Sequence, residues 1–448
     1  RAVTRSRHAC ACQSRPIESQ VLPGVRLEGL VTEPVRFVHA ADLHLDAPFA
    51  GVDATDPRVR EALVSSTYDA LDALVEVCLG HGAHFLVIAG DVYNAAEKSL
   101  RAEFAFRDAC VRLADSGIRV LIACGNHDPA SSRSAGIALP DNVHVFSASE
   151  VERVEIERDG GVVCAVYGRS FRTAAEKANL ATGFSRQPAD PLAIGVLHAN
   201  VGGRTDYEPY APCSLEDLRI ARMDYWALGH IHKPEVLSEL PAVVYSGCTQ
   251  GLSPNESGLR GCRVVTLSAE GTTTEFVPTS AVVWTRQQID ATELQDIDEL
   301  MAALARAVEE AGRAAESRPA ITRIELAGRS DVHVPLAHPG ALGDILADVR
   351  ASALERDPWV WVDRIVDATR PAFSLETLRG SADFPGDLVR LTDELLADER
   401  ALLALVDSAS APVLSAMDAR DVLAIDAATL LERARDLALD HMLAEEDR

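Results

Sequence analysis

The chain has 448 residues, of which 47% are hydrophobic and 25% charged, with a formal net charge of −25 at pH 7. That is the balance of an ordinary soluble globular protein with room for about two or three cores. It excludes a protein that coats nucleic acid by bulk electrostatics, though not one whose positive charge comes from bound metal ions.

No apolar run approaches the roughly 18 residues of a membrane span, so no membrane association is expected. The nine Cys lack regular spacing, which points to a reducing cytoplasm rather than a disulfide framework. Residues 1–34 read as a disordered extension or a misplaced start, without the apolar segment of a secretory leader. His8, Cys10 and Cys12 sit close together there but lack a second Cys/His pair to complete a metal site.

Val35 to Ala41 reads as the first strand and leads at once into Asp42 and His44. Helical periodicity follows over 57–80, with Leu63, Leu71, Leu74, Val75 and Cys78 on one face. Phe85 to Ala89 is a second strand running into Gly90-Asp91, and an amphipathic helix with Leu100, Phe104, Phe106, Cys110 and Leu113 comes next. Val120 to Cys124 is a third apolar strand, ending in Gly125-Asn126-His127-Asp128. Strand, helix, strand, helix, strand predicts a right-handed α/β unit.

From Val143 the pattern shifts to short β runs: 143–146, 151–156 and 162–167, with a Gly160-Gly161 turn between the last two. Ala193 to Leu197 ends in His198, and Tyr225 to Leu228 ends in Gly229-His230-Ile231-His232. With Val243 to Ser246 and Arg263 to Leu267, these runs predict a second, more antiparallel sheet. The expected fold is α/β: a two-sheet sandwich flanked by helices over residues 35–280, a smaller α+β domain over 281–375, and a helical segment over 376–448. Within the α+β domain the periodicity predicts helices over 293–312 and 340–355 and strands over 320–326 and 359–366. In the helical segment Leu388, Leu391, Leu395, Leu402 and Leu405 form an apolar stripe. Residues 371–448 carry 7 Arg against 17 Asp and Glu, so this segment suits a protein partner or a solvated face better than DNA.

The strand ends together supply Asp42, His44, Asp91, Asn126, His198, His230 and His232. Each motif alone has a plainer reading: D-x-H as a turn, G-D as a helix N-cap, G-N-H-D as a tight turn. Their joint occurrence, each after an apolar strand, points to one site at the strand C-termini. Oxygen and imidazole donors without thiolate suit two divalent ions such as Mn, Fe, Zn or Mg, since seven donors are too many for one. His39, His81, His84, His144, His333, His338 and His441 are read as structural or solvated.

These motifs in this order resemble the calcineurin-like metallophosphoesterase superfamily. F-V-H-A-A-D-L-H-L-D-A-P-F, G-V-L-H-A-N-V, Y-A-P-C-S-L-E-D-L, D-Y-W-A-L-G-H-I-H and Y-S-G-C-T-Q-G are similar to its DNA-repair nuclease branch, the SbcD and YhaO type. The resemblance implies that Asp42, His44, Asp91 and His232 hold one ion and that Asp91, Asn126, His198 and His230 hold the other. It makes His127 the residue that meets the scissile phosphate or protonates the leaving oxygen, a task for which imidazole is suited near neutral pH. Asp128 is expected either to orient His127, the role favoured, or to cap the following turn. Asn94 stands where archaeal and eukaryotic relatives place a second histidine, and would hydrogen-bond the substrate phosphate. The stretch Gly251-Leu252-Ser253-Pro254 lacks a basic residue seen in some relatives.

The resemblance further implies a Mn-dependent DNA repair exonuclease in the cytoplasm, with residues 281–375 as a capping domain and 376–448 docking an SMC-like ATPase with a coiled-coil arm. A homodimer is compatible with it. The alternatives are a phosphoesterase on small nucleotide substrates and a scaffold subunit with a vestigial site.

Overall fold

The continuous apolar runs of the sequence become strands because both of their faces are covered. In the computed structural model, which describes residues 20–21, 34–52, 55–94, 99–132, 137–414 and 426–446, chain contacts divide the protein into two units between Trp284 and Thr285. His8, Cys10 and Cys12, and the extension expected over 1–34 apart from residues 20–21 and 34, lie outside the described residues.

In the first unit β1 (Gln20–Val21), β2 (Val35–Ala40), β3 (Phe85–Ala89), β4 (Arg119–Ala123) and β5 (Val143–Val145) share one sheet, with α1 (Pro57–Gly80) between β2 and β3 and α2 (Leu100–Asp115) between β3 and β4. A second sheet holds β6 (Glu152–Arg158), β7 (Gly161–Arg169), β8 (Ala193–His198), β9 (Tyr225–Gly229), β10 (Glu235–Glu239) and β11 (Ala242–Tyr245), with α3 (Leu215–Ile220) between β8 and β9. The chain then returns through β12 (Gly261–Ser268) and β13 (Gly271–Pro278) to the first sheet, whose order is β1-β13-β12-β2-β3-β4-β5. The order of the second is β10-β11-β9-β8-β7-β6.

Side-chain alternation sorts each strand between cores. In β3, Phe85 and Val87 point into the layer between the sheets, where they meet Val166, Ile194, Val196 and Tyr225. Leu86 and Ile88 point the other way, onto Leu71, Leu74 and Cys78 of α1 and Phe106 and Leu113 of α2. A third apolar layer lies on the outer face of the second sheet, around Trp226, Tyr245, Leu218 and Phe184. Burial on both faces explains why these strands read as unbroken apolar runs rather than as alternating ones. The helices start where the sequence supplies caps: Asp56 accepts from the N–H groups of Arg58 and Val59, and Ser99 accepts from that of Ala102.

Three expectations are corrected. Residues 263–267 belong to β12 of the first sheet, paired antiparallel with β2, and 143–145 also lie in that sheet, parallel to β4. The second sheet is not mainly antiparallel, because β7, β8, β9 and β11 run parallel to one another and only β6 and β10 at its edges are antiparallel. Short apolar runs carry no signal for which sheet they join; pairing partners decide it.

The second unit is built on β14 (Val283–Asp290), β15 (Ala320–Ser330) and β16 (Val360–Pro371), with β15 and β16 parallel. It carries α4 (Ile297–Ala314), α5 (His333–Leu336) and α6 (Ala341–Leu354), followed by α7 (Leu375–Gly380), α8 (Phe384–Ala397), α9 (Glu399–Leu414) and α10 (Ala427–Glu446). The leucine stripe is only partly buried: Leu402 is buried, whereas Leu391 and Leu405 are 53% and 41% exposed, and Val389, Thr392 and Leu439 are buried as well. The packed face of α8 is offset from the leucines, so its interior includes a threonine.

Candidate metal centre

β2, β3 and β4 run parallel in one sheet and β8 and β9 run parallel in the other. Contacts of His198 with Ala89 O and Asp91 bring the C-terminal ends of both sets to the same edge of the sandwich. Asp42 and His44 follow β2, Asp91 follows β3, Asn126 to Asp128 follow β4, His198 ends β8, and His230 and His232 follow β9. Four of these residues, Asp42, His44, Asp91 and His230, have φ between 44° and 95°. That left-handed conformation is uncommon for non-glycine residues and gathers where structure is held for a task. It is fixed by the neighbouring backbone, since Asp42 N–H donates to Gly90 O and His44 N–H to Asp91 O, both at 3.0 Å.

Of the seven expected residues, Asp42, His44, Asp91, His198 and His232 bring donor atoms together, Asn126 adjoins His198, and His230 lies alongside. His198 Nε2 lies 3.3 Å from Asp91 Oδ2 and 2.9 Å from Asn126 Oδ1. His232 Nε2 is 4.0 Å from Asp42 Oδ1 and 3.2 Å from His44 Nε2. His230 takes part through its backbone N–H, which donates to both Asp42 oxygens, and its ring centre is 5.2 Å from that of His198. The donor atoms of Asp42, His44 and His232 lie within 4.8 Å of one another, as do those of Asp42, Asp91 and His198.

Each histidine has one ring nitrogen anchored away from the cluster. His198 Nδ1–H donates to Ala89 O at 2.8 Å and His230 Nε2–H donates to Glu208 O at 2.8 Å. His232 Nδ1–H donates to Glu256, and His44 Nδ1–H donates to Asn94 Oδ1 at 3.0 Å. A carbonyl or carboxylate can only accept, so in the neutral ring these bonds hold the proton on the anchored nitrogen and turn the opposite nitrogen toward the cluster. His44 Nε2 and His232 Nε2 face each other at 3.2 Å, a contact that a proton on His232 or a cation between them satisfies. Anchoring the far nitrogen of each ligand histidine is the usual support of a metal site.

The buried carboxylates and imidazoles perturb one another strongly. Asp42 and Asp91 are each 1% exposed, a burial that carboxylates tolerate only with compensating charge. Burial pushes the Asp42 carboxyl up to about 6. Burial also opposes ionisation of Asp91, but His198, His44 and His127 outweigh it and hold that group below the usual aspartate range. Burial lowers His44 and His230 to about 4. For His198, burial is outweighed by the Asp91 and Asp42 carboxylates, which raise it to about 9. A donor set of carboxylates, imidazoles and one carboxamide fits divalent ions of hard or borderline character.

Glycines of the framework leave no room for a side chain. A Cβ on Gly90, whose φ is +101°, would sit 2.3 Å from His198 Nδ1, and one on Gly125 would sit 2.3 Å from Asp91 Oδ1.

The remaining expected residues fall as follows. His127 is exposed, with its ring centre 4.9 Å from that of His44 and its backbone N–H donating to Asp91 Oδ1 at 2.8 Å. The Asp128 carboxylate is buried and accepts from the N–H groups of Asp91 (3.2 Å), Val92 (2.8 Å) and Gly125 (2.8 Å). Its bonds clamp the Asp91 loop to the β4 end, instead of aiming at His127 as the sequence suggested. Asn94 supports His44, a use different from the substrate contact expected of it. Sequence reading missed Glu256, which has no motif of its own; an acidic residue some twenty positions beyond a ligand histidine signals nothing until the loop folds back. His39, read as structural, is buried, donating from Nε2 to Leu228 O at 3.2 Å and accepting at Nδ1 from the Tyr225 hydroxyl at 3.0 Å.

Residues 35–234 match the family model of calcineurin-like phosphoesterases, and residues 284–370 match that of the middle domain of metallophosphoesterase YhaO. The chain is 32% identical to metallophosphoesterase YhaO of Bacillus subtilis (strain 168) over 345 residues, covering 76% of this chain and 84% of that protein. It is 24% identical to the SbcD component of nuclease SbcCD from the same organism, covering 50% of this chain and 64% of the relative. It is also 24% identical to the DNA double-strand break repair protein Mre11 of Methanocaldococcus jannaschii, covering 49% of this chain and 58% of the relative.

Proposed function

The chain belongs to the calcineurin-like phosphoesterase family, and from that premise we propose that it is a two-metal phosphodiesterase acting on DNA, with Mn as its working cation. The observation that supports this reading is the gathering of donor atoms from Asp42, His44, Asp91, His198 and His232, with the far ring nitrogen of each of these histidines anchored outside the cluster.

Asp42, His44, Asp91 and His232 would hold one cation, and Asp91, Asn126, His198 and His230 would hold the other. When bound, a pair of divalent cations supplies Lewis acidity at phosphorus and neutralises charge on the phosphoryl oxygens. His127 presents an exposed imidazole beside this cluster, where it delivers a proton to the departing sugar oxygen. Asp128 and Asn94 act indirectly, the first by holding the Asp91 loop and the second by holding His44.

DNA as the substrate is supported by the names of two relatives, a nuclease component and a DNA break repair protein. Residues 281–375 serve as the capping domain, in line with the match of 284–370 to a YhaO middle domain. The acidic helices of 376–448 dock an SMC-like ATPase with a coiled-coil arm. A cytoplasmic setting is supported by seven buried cysteines that form no disulfide among the described residues, and no described helix is long and apolar enough to cross a membrane.

The test is hydrolysis by Mn-loaded protein of end-labelled single- and double-stranded DNA in competition with a cyclic nucleotide. Cleavage of DNA is expected to dominate. Preference for the cyclic nucleotide would move the substrate to small molecules, and failure to cleave even an aryl phosphodiester would overturn the enzymatic reading.

A further inference from the structure

Glu256 lies in the loop between β11 and β12 and is bonded on both sides. One carboxylate oxygen accepts the Nδ1–H of His232. The other accepts the backbone N–H groups of Leu252 at 2.6 Å and Ser253 at 3.1 Å. Its side chain is 15% exposed, and the loop around it is tied down. Ala50 N–H donates to Leu252 O at 2.9 Å, and the Arg260 guanidinium donates to Glu256 O at 3.2 Å and to His232 O at 3.3 Å.

We infer that Glu256 is a positioning residue that locks His232 in the tautomer able to bind a cation through Nε2; this rests on the cation pair proposed above. In the neutral ring, with Nδ1–H committed to the carboxylate, the Nε2 lone pair is directed toward His44 and Asp42.

The geometry predicts an unusual order of substitutions. In Glu256→Gln one oxygen and one NH2 replace two acceptors. Two fixed backbone N–H groups compete with a single imidazole N–H for the one remaining acceptor, so the amide oxygen stays on Leu252 and Ser253. Its NH2 then faces His232, whose Nδ1 must accept, and the ring proton moves to Nε2. A protonated Nε2 has no electron pair for a cation. Glu256→Ala removes the partner of Nδ1–H without reversing its direction, so it disturbs the tautomer less. A purely structural Glu256 gives the opposite order, because Gln preserves loop hydrogen bonds that Ala loses.

The experiment uses full-length protein labelled with 15N-histidine and freed of divalent ions, with a His232→Asn sample to assign the signal. The imidazole shifts should report Nδ1–H for wild type and Nε2–H for Glu256→Gln. Calorimetry with Mn should then show one of two binding events weakened ~10–100-fold in Glu256→Gln, less in Glu256→Ala, and the other event unchanged. A His232 that keeps its Nδ1–H in the Gln variant, or an Ala variant weaker than the Gln variant, overturns the inference. Wild-type protein that takes up no Mn would count against the phosphodiesterase reading instead, while the tautomer measurement still decides the role of Glu256.

Discussion

Replacing Gly125 by alanine should disable the centre while leaving the fold standing. The added Cβ would lie 2.3 Å from Asp91 Oδ1 and 2.9 Å from both Asp91 Cγ and His198 Cε1, where ordinary contact begins at 3.4 Å. Asp91 must therefore recede by roughly 1 Å, a displacement that commonly costs a reaction ~10²-fold. It has little freedom to do so: it is 1% exposed, its Oδ1 holds the His127 N–H, and its own N–H is held by Asp128. Gly125 itself is not in the left-handed region, so the backbone accepts alanine and the effect passes through the side chains. Overpacking of this kind costs about 1–3 kcal/mol of stability. The assay is Mn-dependent hydrolysis of an aryl phosphodiester together with a calorimetric count of Mn. A loss of ~10²-fold or more in kcat/KM is expected, with both Mn events weakened because Asp91 is shared. Gly343→Ala in α6, where a Cβ meets nothing within 4 Å, serves as the control and should keep full activity. A Gly125→Ala protein with wild-type Mn uptake and rate would refute the placement of Asp91 at the heart of the site.

Three further outcomes follow from the same geometry. His127→Asn should bind Mn as wild type does but lose ~10²–10⁴-fold in kcat, as expected for removal of a general acid; lost Mn uptake would make His127 a ligand. Mn should raise Tm and chelation lower it, because each cation held at 100 times its Kd adds ~2.7 kcal/mol, and Asp91→Asn should abolish the Mn-dependent rise. Burial lowers the His39 imidazole to about 3, so between that value and the ordinary histidine range the unfolded chain binds a proton that the folded chain refuses. Stability contributed by this group is therefore complete above about pH 6.5 and is lost as pH falls, at up to ~1.4 kcal/mol per pH unit. His39→Gln, which can still donate to Leu228 O and accept from Tyr225, should shrink the difference in urea stability between pH 7 and pH 5 by about 2 kcal/mol; an unchanged difference would contradict it.

How far the sequence carried depended on how local the signal was. β3 matched its expected bounds because F-L-V-I-A is apolar on both faces and ends at a glycine. The seven donors were legible because each follows such a strand directly, so topology alone brings them to one edge. Sheet membership was not legible, since β12 carries the same apolar text as the strands of the second sheet. β10 and β13 were missed as well: E-V-L-S-E and G-T-T-T-E-F-V-P are edge or threonine-rich strands with little apolar content. The supporting shell was hidden for a different reason. The carbonyls of Ala89 and Glu208 anchor His198 and His230 through backbone atoms that every residue possesses, and Glu256 reaches His232 only after its loop folds back. Asp128 was visible as a carboxylate, but its three amide partners depend on how two loops meet.

The most direct test is anomalous diffraction at the manganese edge from crystals grown with Mn. Two peaks roughly 3.5–4 Å apart are expected, both within coordination distance of Asp91, one beside His44 and His232 and the other beside His198 and Asn126. A single peak, or none at these side chains, would contradict a two-cation phosphodiesterase.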